Sequence, residues 1–394
     1  MQKLINAPIS TLELERRWKA VRAAMAAEGI DALLMSGAND LMHGYIKYLT
    51  DMPALAYPST LIFPRDDEMT LIMHGGFDGD FMPEGNQIAY RGVKRVLTCS
   101  SFATAHFSLN YEAAQVVSGL APYLAGRIGL VGAQSMPASI IDAVRDAMRQ
   151  GGQMTAASEL VDRIKAIRSP EEVAAARRTA ALQDDGVTAI LARIAPGMRE
   201  REVMAEAELA NRRGGSEQGA YLCSSGPLGT PAPLRPPHLQ ERQLEEGDVF
   251  HFLIETSGPG GLYAEIGRTI VLGTPTAEMQ EEFEFVKQAR HFTLNRLRPS
   301  ADVSEIWKEY NAFMRDNDRP EETRIHCHGQ GYDLLERPLV RFDETMKIER
   351  DMILACHPTY VHRSHYNWIC DSYLITDDMP QRLHRTPEAL LFPA

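Results

Sequence analysis

Residues 247–269 read GDVFHFLIETSGPGGLYAEIGRT, and the reading of this stretch decides the fold. It is a β-hairpin with two carboxylates, Glu255 and Glu265. Glu255 lies two residues beyond Leu253, so the two share one face of the first strand. Paired glutamates on one hairpin can hold a cation, either a metal ion or a positively charged substrate. A buried carboxylate is costly unless it is paired in this way.

Around the hairpin, 394 residues accommodate two domains. A content of 44% apolar and 24% charged residues is ordinary for a globular protein. The net charge of −12 argues against nucleic acid or an anionic membrane as partner, because both need clustered Lys and Arg. No run is long enough to span a bilayer, and the N-terminal MQKLINAPISTLELERRW has no apolar signal-peptide core. Cys99, Cys223, Cys327, Cys356 and Cys370 are odd in number and form no CxxC. They imply reduced thiols and a cytoplasmic location.

Residues 11–28 put Leu14, Trp18, Val21 and Met25 on one helical face, with Gly29 as the stop. Strands are expected at 32–37 and 127–132, a hairpin around Arg65–Glu68, and a helix at 139–152. This alternation predicts an α/β domain over 1–165. Ser169, Pro170 and Glu172 make an N-cap, a first helical residue and a capping-box partner, opening a second domain over 166–394. There follow helices to about 196 and over 200–213, a Pro-rich loop at 226–237, and the hairpin. Helices at 276–296 and 301–315 and strands at 352–356 and 372–376 complete the order. Two helices followed by a hairpin, twice over, suggest a duplicated half-domain. Glu278, Glu281 and Glu282, three and four apart, are expected on a solvated helix face.

The landmarks resemble the creatinase / Xaa-Pro dipeptidase / methionine aminopeptidase superfamily, the pita-bread fold. The resemblance rests on Ile167-Arg168-Ser169-Pro170-Glu171-Glu172 at the junction and on Arg242, Leu244, Gly247 and Asp248 leading into the hairpin. Arg268-Thr269 at its end, His328-Gly329-Gln330-Gly331 and Glu336-Arg337-Pro338 carry it further. It implies an α/β N-terminal creatinase-like domain followed by an α+β pita-bread catalytic domain. Metal-dependent members hold one or two divalent ions with two Asp, one His and two Glu. Here the first Asp falls on Leu253, the second on Glu265 and the His on His328. The two Glu fall on His357 and Cys370, with Asp371 one place later on the opposite strand face.

This pattern is closest to the metal-free creatinase and ectoine hydrolase branch. The resemblance therefore implies a metal-independent hydrolase cleaving a C–N bond of a small cationic amide, amidine or guanidine, with no cofactor. Glu255, His238, His328 and Glu265 are the expected catalytic residues, and His357, Asp371 and Tyr263 the expected substrate-binding ones. An alternative keeps one Fe or Zn ion in a dimethylsulfoniopropionate lyase-like or Xaa-Pro dipeptidase-like enzyme. The dipeptidase reading is weakened because the family's second His, seven residues after His328, is Leu335. A non-catalytic binding module is a further alternative, disfavoured by four polar groups kept in one pocket. The resemblance also implies a homodimer acting on a small molecule, with specificity walls from loops such as 38–58.

Overall fold

The computed structural model describes residues 6–37, 43–53, 57–84 and 88–394. The chain divides into two compact units, Met1–Lys165 and Ala166–Ala394. No helix among the described residues is long and apolar enough to cross a membrane.

The first unit is built on strands β1 (Ala32–Gly37), β2 (Ser59–Pro64), β3 (Met69–His74), β4 (Gly79–Phe81), β5 (Val93–Cys99), β6 (Arg127–Val131) and β7 (Gln153–Ala156). They form one sheet in the order β4-β5-β3-β2-β1-β6-β7. Its helices are α1 (Thr11–Glu28), α2 (Gly44–Thr50), α3 (Leu109–Leu120), α4 (Ala138–Ala147) and α5 (Ser158–Lys165). Helix α1 starts where the Ser10 side chain accepts from Glu13 N–H, and stops at Gly29, whose φ of 66° favours glycine. The strands β1 and β2 are buried along their whole length, which is why they read as continuous apolar runs. Ile62, Ile72, Leu97, Val116, Ile128 and Ile140 join the sheet to α3 and α4 in one core. Helix α4 ends earlier than its sequence pattern suggests, because Arg149 N–H turns to the carbonyl of Leu124. Within the 38–58 segment, residues 38–42 and 54–56 lie outside the described residues.

The second unit opens with α6 (Pro170–Leu191), α7 (Glu200–Arg213), β8 (Gly219–Pro227), β9 (Asp248–Ser257) and β10 (Tyr263–Val271). Ser169 and Glu172 close a reciprocal capping box at the start of α6. Strands β8, β9 and β10 are antiparallel, and Leu253 faces Gly267 while Glu255 faces Glu265. Phe250, Phe252, Ile254 and Ile266 pack against Val187, Ile190 and Val203 of the two helices. Alternation then turns His251, Leu253, Glu255, Glu265 and Gly267 to the other face.

Helices α8 (Ala277–Leu294) and α9 (Val303–Asp316) precede the second sheet. It comprises β11 (Cys327–Gly329), β12 (Glu336–Leu339), β13 (Ile353–Cys356), β16 (Asp371–Leu374) and β17 (Gln381–Arg382), in the order β12-β11-β13-β16-β17. The pair β14 (Thr359–His362) and β15 (His365–Trp368) forms a separate hairpin. His328, Ala355 and Ser372 are register partners on one face, and Cys327, Cys356 and Asp371 on the other. The two sheets meet where Gly267 and Cys370 exchange both backbone hydrogen bonds, each 3.1 Å. Trp368 closes over this join: a Cβ on Gly267 would lie 2.0 Å from its ring.

Two sequence expectations are corrected here. Glu282 is fully buried, taking Arg319 Nη2 at 2.8 Å, Tyr360 Oη at 3.2 Å and His362 Nδ1 at 2.9 Å. The β14–β15 hairpin packs on what helical spacing alone makes a solvated face. Asp371 is not offered to a substrate. It accepts from Arg268 Nη2 at 2.8 Å and Arg290 Nη1 at 2.6 Å, and all three side chains are fully buried. Burial alone would raise the Asp371 carboxyl, but Arg268, His384 and Arg290 hold it far below the usual carboxylate range. Removing one partner from such a group leaves buried charge uncompensated. Asp371→Asn is therefore expected to destabilise the protein by about 3–5 kcal/mol, read from urea midpoints. A change under about 1 kcal/mol would contradict this account.

Candidate active site

The facing carboxylates of β9 and β10 form the floor of the site. Glu255 and Glu265 are direct cross-strand neighbours, a placement that disfavours two negative charges. Burial and the nearby Glu265 push the Glu255 carboxyl well above its ordinary range, against a hydrogen bond from Gln330. Glu265 goes the other way. Burial opposes its ionisation, but His357, His328 and Cys370 together hold it below the ordinary value.

His328 Nε2 lies 3.5 Å from Glu265 Oε2, and its Nδ1 lies 2.8 Å from the carbonyl of Gly329. A carbonyl only accepts, so Nδ1 carries the proton and Nε2 of a neutral ring turns its lone pair toward the carboxylate. Two acceptors then face each other, an arrangement satisfied by a second proton on the ring or by a cation between them. The His357 ring centroid is 5.1 Å from that of His328. Burial lowers the His357 pKa, so the ring is neutral and able to ligate near pH 7. One donor atom from each of Glu265, His328 and His357 lies within 4.8 Å of the others. Two imidazoles and a carboxylate suit one ion of intermediate hardness.

Gln330 and Ser372 escape sequence reasoning, yet they position Glu255. Gln330 Nε2 donates to Glu255 Oε1 at 3.2 Å, and Ser372 Oγ donates to Gln330 Oε1 at 2.9 Å. Ser372 in turn accepts from the Glu265 N–H at 2.9 Å. The available signal was alternation, which puts Gln330 on the His328 face. Leu253, Ala355, Trp368 and Cys370 make an apolar cluster beside the ligand group. The remaining expected residues lie elsewhere. His238 sits exposed in a short 3-10 turn, Pro237–Leu239, and is not part of the convergent group. Tyr263 is buried with its hydroxyl donated to Gln218 at 2.9 Å. The structure thus leaves the His238 side chain in solvent and engages the Tyr263 hydroxyl with Gln218.

The description matching residues 174–377 is metallopeptidase family M24. The chain belongs to this family. It is a hydrolase of C–N bonds with the creatinase-type pita-bread fold. It is 26% identical over 245 residues to the Xaa-Pro dipeptidase of Pyrococcus furiosus, covering 59% of this chain and 67% of that one. The prolidase of Pyrococcus horikoshii OT3 superposes with a TM-score of 0.75 at 19% identity, over 95% of this chain and 100% of the other. Dipeptidase PepE of Mycobacterium ulcerans gives 0.76 at 18% identity, over 98% and 99%. These findings correct the expectation of a site without cofactor. The family is one of metallopeptidases, and Glu265, His328 and His357 retain a convergent donor set. The sequence count failed because it scored changed ligand types as lost ligands.

A carboxyl raised by folding holds its proton where the unfolded chain has released it. Its contribution to stability therefore falls as pH rises from the unfolded value, about 4.3, toward the raised one. In metal-free protein, stability relative to Glu255→Gln should fall with rising pH in that window by up to about 1.4 kcal/mol per pH unit. Urea unfolding in chelator between pH 5 and 8 reads this, and parallel curves for the two proteins would refute it.

Proposed function

We propose that this protein is a metal-dependent hydrolase of dipeptide amide bonds, with Xaa-Pro dipeptides the first candidates. It uses one ion held by Glu265, His328 and His357. The observation that carries this reading is the His328 Nε2 lone pair facing Glu265 Oε2 at 3.5 Å, a gap suited to a cation. The printed names of the dipeptidase relatives support the substrate class. Leu335 in place of a second His argues that substrate is gripped differently from those relatives.

A divalent ion bound there supplies Lewis acidity that acidifies water and polarises a carbonyl. The residues of the chain do the rest. Burial, and after it the neighbouring Glu265 charge, keep Glu255 protonated; with the Glu265 charge neutralised, Glu255 would be able to take a proton from attacking water. The same carboxyl then returns that proton to the leaving nitrogen. Gln330 and Ser372 hold the Glu255 oxygen in place during both transfers. A cytoplasmic homodimer, with an α/β domain over 1–165 and a catalytic domain over 166–394, completes the proposal. It rests on the family resemblance and on the five free cysteines.

Elemental analysis and a dipeptide panel, with and without chelator, test the proposal. We expect one ion per chain and hydrolysis lost on chelation. His357→Ala should lose both the ion and the activity. Glu255→Gln should keep the ion while kcat falls by about 10²- to 10⁴-fold. Hydrolysis that survives chelation and His357→Ala would sink the reading.

A further inference from the structure

The bonds that place Glu255 and Glu265 continue past Gln330 and Ser372. Ser372 Oγ takes the Glu265 N–H and donates to the Gln330 oxygen, so this residue serves both carboxylates. Its backbone N–H lies 3.4 Å from His384 Nδ1, and its carbonyl takes the Leu383 N–H at 2.9 Å. His384 Nε2 lies 2.8 Å from Gln183 Oε1. Gln183 Nε2 in turn donates to the Ala264 carbonyl, and to the carbonyl and hydroxyl of Thr256 at 3.4 and 3.2 Å. Thr256 follows Glu255, Ala264 precedes Glu265, and the two are register partners. Gln183, His384, Thr256, Ala264 and Ser372 are all buried. A closed circuit results, running from Glu255 through Gln330, Ser372, His384 and Gln183 back to the hairpin beside both carboxylates.

The chemistry of the circuit fixes its hydrogens. Carbonyls only accept, so the Gln183 amide nitrogen faces the hairpin and its oxygen faces His384. His384 Nε2 therefore carries a hydrogen, and Nδ1 of the neutral ring is left to accept the Ser372 N–H. Asp371 Oδ1 lies at the same 3.4 Å from Nδ1. It is already paired with Arg268 and Arg290, so it does not call for a second hydrogen on the ring. Nor does the C-terminal segment need His384 as a fastener. Asp184 accepts from the N–H groups of Arg385 and Thr386, each at 2.9 Å, and Leu391 bonds the backbone of β10 at Thr269 and Val271.

We propose that Gln183 and His384 are positioning residues for the carboxylate pair. They tie the backbone beside Glu255 and Glu265 to Ser372, and so set where the Gln330 amide holds the Glu255 oxygen. Facing carboxylates repel when both are ionised. The circuit resists their moving apart while the proton is transferred. The inference rests on the metal-dependent reading above, with Glu255 as proton carrier. Its rival is a network that contributes folding stability alone.

Kinetics of the ion-loaded full-length protein separate the two. His384→Leu should lower dipeptide kcat by about 10- to 100-fold, with KM and the bound ion unchanged. His384→Gln, which keeps one donor and one acceptor, should recover most of the loss. A lowered urea midpoint with kcat retained in His384→Leu overturns the proposal, as does a Gln variant no more active than the Leu one. Nitrogen NMR of the metal-free wild type, labelled with ¹⁵N-histidine, adds a readout that needs neither turnover nor a folded variant. Near pH 7 His384 should carry its hydrogen on Nε2 alone, and a hydrogen on Nδ1 overturns the circuit. Each of these outcomes leaves the metal-dependent reading standing. Wild-type protein that hydrolyses no dipeptide defeats that reading, and this inference with it.

Discussion

Gly267 and Cys370 share two backbone hydrogen bonds, and the geometry of the site descends from that join. Glu265 stands two residues before Gly267 on β10, and Ser372 two residues after Cys370 on β16. Fixing the one pair fixes the other, and the Glu265 N–H duly lies on Ser372 Oγ. Immediately behind the join, Arg268, Arg290 and Asp371 form a buried charge network with no solvent contact. Such a network is a poor source of net stability but tolerates little displacement of its members. It therefore holds two separate sheets in one register, which is what a convergent ligand group requires.

The chemistry follows from what each strand face presents. Facing glutamates cannot both ionise comfortably, so the pair splits, Glu255 being pushed toward its protonated form and Glu265 toward its ionised one. The proposed function uses the first as proton carrier. The anion is the one flanked by two imidazoles and a thiol, and the carrier is the one held by a neutral amide. The environments separate the roles of two otherwise equivalent side chains. A pair of titratable groups driven apart in this way is what acid–base chemistry near neutral pH needs.

Much of the fold was legible because it rests on local rules. The Ser169–Glu172 capping box, the Gly29 stop and the hairpin at 247–269 are each specified by a few neighbouring residues. His328, Glu265 and Glu255 were also legible, since alternation and motif spacing fix their faces. What escaped depends on partners distant in sequence. Glu282 is read as solvated from its helical spacing, and only the β14–β15 hairpin buries it. Gln330 and Ser372 matter through each other, across 42 positions. The metal was misread for a related reason. Counting Asp and Glu against a family pattern gives the changed ligand types more weight than the convergence of His328 and His357 on Glu265, so the one-ion reading stayed an alternative.

Trp368 lying over Gly267 makes three positions of the site wall interdependent. The face that pairs Leu253 with Gly267 is now filled by an indole ring, and a Cβ at 267 has no room. A carboxylate at 253 would sit in an apolar cluster, where burying its charge is costly. Leu253, Trp368 and Gly267 thus interlock, so that a larger or charged side chain at any one of them has to be accommodated by the other two.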